Sequence, residues 1–252
     1  MMLFPLISEL SVVTVTGAVV TIALGGFLRG FLGFGAALLI VPVLSAILTP
    51  ERALVIVFLI ELPTVMYLMP GAFRTGDPKT VAPIVLAMFF TIPFGVYFLV
   101  SADPDVIKVV ISLLVLAMVG LLASGWKPKN EIRMGTMLIA GSLSGLISGA
   151  AGVGGPPFVT ALMARNESAE RTRSNIILSL NSMSLLTTAN YFYSGLVTIN
   201  LVLLSLTLVP FYVGFTWYGA RYFGSSGSTY FKKAALLMLT IISIVTIALS
   251  LN

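Results

Sequence analysis

The sequence predicts an all-α polytopic membrane protein: about ten transmembrane helices in two inverted five-helix repeats, with a glycine-broken helix in each half. Three observations carry this expectation. Composition is the first, because 58% hydrophobic and 9% charged residues, with a mean hydropathy of +1.07, leave too little polar surface to coat a soluble globule of 252 residues. The bilayer is therefore the solvent. The second is repetition, since Gly26, Gly30, Gly33 and Gly35 return at an offset of 119 residues as Gly145, Gly149, Gly152 and Gly154. The third is the placement of lysine and arginine between the apolar runs, which fixes how many segments cross.

Apolar runs set against charged or turn-rich breaks place helices at 10–28, 34–48, 51–70, 80–100, 104–124, 133–149, 155–165, 172–193, 198–222 and 230–250. At about 20 residues per crossing these segments use the whole chain, leaving one integral membrane domain over 1–252. Repeat 1 covers about 9–126 and repeat 2 about 131–252. The start MMLFPLISEL has neither a basic leader nor a small-residue cleavage signal, so it reads as the lead-in to a retained helix. The second and seventh segments are short, and Pro156-Pro157 opens the seventh, so each either crosses or dips in and returns.

If all ten cross, one side receives Arg29, Arg74, Lys79, Lys127, Lys129, Arg133, Arg165, Arg171, Arg173, Arg221, Lys232 and Lys233, and the other only Arg52 and Lys108. If the two short segments do not cross, the cations divide nine to five over the same fourteen positions. The positive-inside rule selects ten crossings, with both termini on the extracytoplasmic side of an inner membrane. The net charge of +5 then reports orientation rather than nucleic-acid binding.

Five spans per half is an odd number, so two similar halves insert with opposite orientation. The register extends beyond glycine: FLRGFLGFGAA from Phe27 aligns with LISGAAGVGGP from Leu146, and Glu51-Arg52 with Glu170-Arg171 at the same offset. In each half a helix runs into glycines and a shorter helix departs from them. Peptide groups at such breaks lose helical partners and must face protein or water. The departing helix presents unpaired N–H groups and the positive end of its dipole, a favourable place for an anion. Inverted halves bring the two breaks together near the midplane, where transporters hold substrate. Gly30, Gly33, Gly35, Gly149, Gly152, Gly154 and Gly155 are thus candidate substrate-binding backbone, the alternative for each being close helix packing.

Gly-Phe-Leu-Gly-Phe-Gly at 30–35 and Gly-Ala-Ala-Gly-Val-Gly-Gly-Pro at 149–156, with Arg171 and Asn175 downstream, resemble the TauE/SafE family of sulfite and organosulfonate exporters over essentially the full chain. The resemblance implies a ten-helix inverted-repeat transporter that moves sulfite, sulfonates or related sulfur-containing anions outward. The first half carries Arg29 and Phe31 where the second has Ser148 and Ala150, so the site need not be symmetric.

Eight of the nine acids lie at segment ends or in loops, but Glu61 falls mid-helix, where an ionisable group needs a cavity, a partner or a proton. With histidine absent, Glu61 is the proton-coupling candidate, the alternative being a neutral acid hydrogen-bonded in the bundle. Arg29 beside the first break pairs with a sulfonate oxygen or Glu61, or else snorkels to the interface. Arg52 and Arg171 correspond in the repeat and are gate candidates or plain interface anchors. The eighth segment is polar: Asn175, Ser179 and Ser182 share a face, with Asn181 alongside, and offer donors to oxyanions or interhelical hydrogen bonds. Most of Tyr191, Phe192, Tyr193, Trp217, Tyr218, Tyr222 and Phe223 read as an interface belt.

The residue inventory also narrows the function class. No cysteine or histidine is present, which removes disulfides, thiol nucleophiles, Cys/His metal sites and imidazole relays. No phosphate-binding G-x-x-x-x-G-K-[ST] run occurs, so the driving force expected is protons or membrane potential rather than nucleotide. The expectation is a transporter without catalytic residues, metal or cofactor, whose partners are a small anion, protons and the lipid bilayer. An anion channel is the alternative. Small lipid-facing residues permit a homodimer without requiring one.

Overall fold

A computed structural model describes residues 12–124, 133–165 and 167–223. Among the described residues the chain is helical throughout, in the order α1 (Val12–Leu32), α2 (Ala36–Ile47), α3 (Pro50–Thr75), α4 (Pro78–Ser101), α5 (Pro104–Ala123), α6 (Met134–Ala151), α7 (Gly155–Met163), α8 (Ala169–Tyr193) and α9 (Ile199–Tyr222). The helix expected at 230–250 lies outside the described residues. Six helices, α1, α3, α4, α5, α6 and α9, are long and apolar enough to cross a bilayer, so this is a multi-pass membrane protein. With 12 and 9 residues, α2 and α7 rise about 18 and 14 Å against a hydrocarbon core of about 30 Å, so neither spans alone.

Helix starts follow local chemistry. Pro50, Pro78 and Pro104 open α3, α4 and α5, where the missing N–H has no helical partner to lose. The α8 helix begins three residues before the expected 172, because the Ser168 hydroxyl caps it by accepting the Arg171 N–H at 3.2 Å. The α1 helix runs past the expected 28 to Leu32 and stops only where Gly33 turns left-handed at φ 84. Gly152 ends α6 in the same way at φ 71. The two turns match bond for bond: Gly33 N–H donates to Arg29 O at 3.0 Å and Gly152 N–H to Ser148 O at 2.9 Å.

Two glycine-lined contacts bind the bundle together. On α6, Gly141, Gly145 and Gly149 face Ile84, Met88 and Ile92 of α4, and a Cβ at Gly149 would strike the Ile92 carbonyl. On α1, Gly26 and Gly30 face Tyr212 and Thr216 of α9, where a Cβ would strike their carbonyls. Both registers advance together, so α4 runs parallel to α6 and α1 parallel to α9. Such backbone approach maximises dispersion where apolar burial offers no drive in lipid. Ile40 of α2 packs on Gly25 of α1, folding α2 back along α1. The α3 and α8 helices lie antiparallel through the centre, linked by Thr75 to Ser174 at 2.6 Å and by Phe58 to Tyr191 with rings 5.5 Å apart.

Consequently α1, α3 and α9 end, and α4 and α8 begin, at one end of the bundle. That end carries Arg74, Lys79, Arg165, Arg171, Arg173 and Arg221, while Arg52 and Lys108 sit at the starts of α3 and α5. Among the aromatics, Tyr193, Trp217, Tyr218 and Tyr222 are exposed, whereas Tyr191 is 1% exposed in the core and Phe223 8%.

Gly30→Ala and Gly149→Ala are expected to lower stability by about 1–3 kcal/mol through overpacking, read as a lower melting temperature in detergent. Gly214→Ala, with nothing within 4 Å of the added methyl, serves as the unchanged control. At the α3–α4 turn, the Thr80 hydroxyl, against the opposing effect of burial, and then the Lys79 and Thr80 amides and Arg171 hold the Asp77 carboxyl below its ordinary value of 3.8. Its stabilisation is complete above that value and fades as pH falls through the lowered one, so the protection of the Val81 amide, its exchange relative to the intrinsic rate at each pH, should fall on acidification in wild type but not in Asp77→Asn.

Candidate functional site

The glycine breaks do not face lipid. Residues 34–38, carrying the start of α2, and Gly152, Val153, Gly155 and Pro156, leading into α7, close around one void together with Val57, Phe58 and Glu61 of α3 and Leu180 and Met183 of α8. The void measures about 20 Å³, room for about one water. Among the described residues neither short helix has a side-chain cap, so the first amides of each are without a side-chain partner. The two ends differ, because Pro156 and Pro157 lack N–H groups whereas Gly35, Ala36 and Ala37 keep theirs. The α2 end is the richer donor for an anion.

Against this void lies a buried charge pair. Arg29 is fully buried, and its Nη1 donates to the Gly33 carbonyl at 2.5 Å while Nη2 donates to Asn181 Oδ1. Its Nε lies 3.8 Å from Glu61 Oε1 and makes no hydrogen bond among the described residues. Glu61 is 4% exposed and accepts from the Tyr212 hydroxyl at 3.1 Å on Oε1 and from Ser184 at 3.0 Å on Oε2. One network thus ties α1, α3, α8 and α9. A lone charge at this depth would carry a large desolvation cost, and the pair with its fixed donors offsets it. In the last α1 turn, whose carbonyls have no helical partner, Arg173 caps two of them, its Nε donating to Phe31 O at 3.0 Å and its Nη2 to Gly30 O, while Arg29 holds the Gly33 carbonyl just beyond the helix.

The residues singled out from sequence separate into groups. Gly35, Gly152, Gly155 and Glu61 line the void, and Arg29 and Asn181 stand behind it. Gly33 forms the left-handed turn, packed on Ile177, while Gly30, Gly149 and Gly154 sit where a Cβ would strike a neighbouring carbonyl. Asn175 accepts the Asp77 N–H at 2.6 Å and donates to Glu167 at 3.0 Å, and Ser179 bonds the Asn175 carbonyl of its own helix at 2.9 Å. Arg171 is exposed, 3.6 Å from Asp77, and Arg52 is exposed at the opposite end of the bundle. Sequence reading passed over Tyr212 and Arg173. A tyrosine in the middle of an apolar helix signals a buried partner for its hydroxyl. Arg173 shares a helical face with Ile177, Asn181 and Ser184, and that spacing is the signal that marks it.

The family described as Sulfite exporter TauE/SafE matches residues 18–246. The chain belongs to this family. No curated protein and no solved structure matches it. Membership makes this TauE/SafE protein one of a family of membrane transporters, and a small anion in a bilayer setting is the cargo that such membership implies.

Removing one member of the buried pair should cost more than removing both. Arg29→Met alone is expected to destabilise by about 3–5 kcal/mol, since it strands Glu61, and adding Glu61→Leu should restore part of that loss. Additive losses in a thermal-melt double-mutant cycle would show that the two residues are not coupled.

Proposed function

We propose that this TauE/SafE protein is a secondary active transporter that exports sulfite or a C2 organosulfonate across the inner membrane by alternating access. The observation that carries the reading is the meeting of both glycine breaks and Glu61 at one void, beside buried Arg29. A sulfur oxyanion is larger than the single water the void admits, so loading requires the breaks to part, and a site closed at rest favours a carrier over an open pore. The α2 amides and the Arg29 guanidinium hold the oxyanion in charge-assisted hydrogen bonds. Glu61 carries the coupling proton: neutralised, it no longer competes for Arg29.

The inverted-repeat reading is supported by the twin left-handed turns at Gly33 and Gly152 and by the pairing pattern. The first helix of each half lies against the fourth helix of the other, α1 on α9 and α6 on α4. Rocking one such body against the other alternates access. The cation-rich end of the bundle corresponds to the cytoplasmic face, and both termini to the other.

Reconstituted protein should move sulfite and C2 sulfonates, not sulfate or chloride, in a saturable, counter-substrate-stimulated way. Glu61→Gln should keep exchange but lose proton linkage, and Arg29→Gln should weaken substrate affinity by about tenfold or more, the worth of one charge-assisted contact. A well-inserted sample in which no sulfur anion moves charge, protons or label would reject the carrier assignment.

A further inference from the structure

A second cavity lies nearer the arginine-rich end. A cleft of about 530 Å³ opens between α3, α8 and α9, lined among others by Tyr67, Gly71, Thr75, Arg173, Ser174 and Phe223. Arg173 stacks on the Phe223 ring at 4.2 Å and has two nitrogens on the Gly30 and Phe31 carbonyls, while its Nη1 makes no hydrogen bond among the described residues. The Thr75 and Ser174 hydroxyls, 2.6 Å apart, line the same cleft. The wall between cleft and inner void is the α1 break itself. Gly33 packs on Ile177 and Arg173 on the cleft side, while Phe34 and Gly35 line the void. Arg29 and Arg173 grip this wall from its two sides through the Gly33, Gly30 and Phe31 carbonyls.

We propose that this cleft is an antechamber in which Arg173 receives a small oxyanion before it reaches the inner site, and that the anion competes with the α1 carbonyls for the guanidinium. The inference rests on the carrier reading for what lies beyond the wall, but not for binding in the cleft. A guanidinium fork matches two oxygens of a sulfonate or sulfite better than single carbonyls, because the pair is bidentate and charge-assisted. An anion that takes Nε and Nη2 leaves the last α1 turn uncapped, and so loosens the wall it must pass. Glu170 in the same lining disfavours an anion without a cation to meet it, which makes Arg173 the receptor.

The chain has no cysteine, so one thiol can report on the cleft. Gly71 lines it, with nothing within 4 Å of an added Cβ, so Gly71→Cys fits without displacement. Methanesulfonate should slow labelling of Gly71→Cys by a neutral maleimide in proportion to occupancy, about tenfold at ten times its Kd, while equal chloride does not. Labelling of a Gly214→Cys control, away from the cleft, should be unaffected. Protection should disappear in Arg173→Gln and persist at higher concentration in Arg173→Lys, which keeps the charge without the fork. Absent protection, or protection unchanged in a folded Arg173→Gln protein, would overturn the antechamber. Sulfonate flux measured on the same preparation separates the two readings: flux without protection removes the antechamber alone, and protection without flux supports it while rejecting the carrier.

Discussion

The structure depends on Arg29, because it answers two demands that a membrane interior makes of the same few residues. A helix that stops inside the bilayer leaves carbonyls without partners, and a carboxylate at mid-depth needs a countercharge. Arg29 meets both, with Nη1 on the Gly33 carbonyl and Nε facing Glu61. Breaking the helix at Gly33 therefore costs little as long as the guanidinium stays in place. Under the proposed mechanism, whatever changes the charge of Glu61 or supplies another anion alters the hold on the α1 break.

Glycine serves two separate purposes in this fold, and distinguishing them clarifies the architecture. Gly26, Gly30, Gly145 and Gly149 exist to let helices touch backbone to backbone, making α1 with α9 and α6 with α4 into tight pairs. Gly33, Gly35 and Gly152 instead adopt left-handed angles that other residues rarely take, and they form the breaks. Tight pairs are poor places for motion, while a left-handed turn held by arginines is a good one. Any rearrangement that widens the inner void is thus concentrated at the turns and at the α3 and α8 helices that line it.

The α8 helix touches both cavities: it contributes Arg173, Ser174 and Ile177 to the cleft, Asn181 to the Arg29 layer, and Leu180 and Met183 to the void. Its low hydropathy, which leaves α8 out of the strongly apolar spans, follows from facing these two cavities and the α3 polar groups rather than lipid.

Much of this was legible in the linear chain. Apolar runs and prolines placed α1 to α9 within a few residues, since a bilayer selects helices by length and hydropathy. The glycine ladder marked the breaks, and Glu61 declared itself as the acid in mid-helix. What sequence alone left open was how each residue type would be used: that Asn175 caps a turn while Asn181 binds Arg29, that Gly149 packs while Gly152 turns, and that Arg173 rather than Arg171 looks inward. These choices depend on helix phase and on which neighbour arrives across the bundle, and a shift of one residue, about 100° around a helix, exchanges cavity for surface. The sequence by itself determined the solvent, the helices and the position of the breaks, because those follow from local hydropathy and backbone freedom. Only the tertiary structure decided the pairing of Arg29 with Glu61 and the two cavities on either side of the α1 break, because they arise from residues up to 152 positions apart brought together by packing.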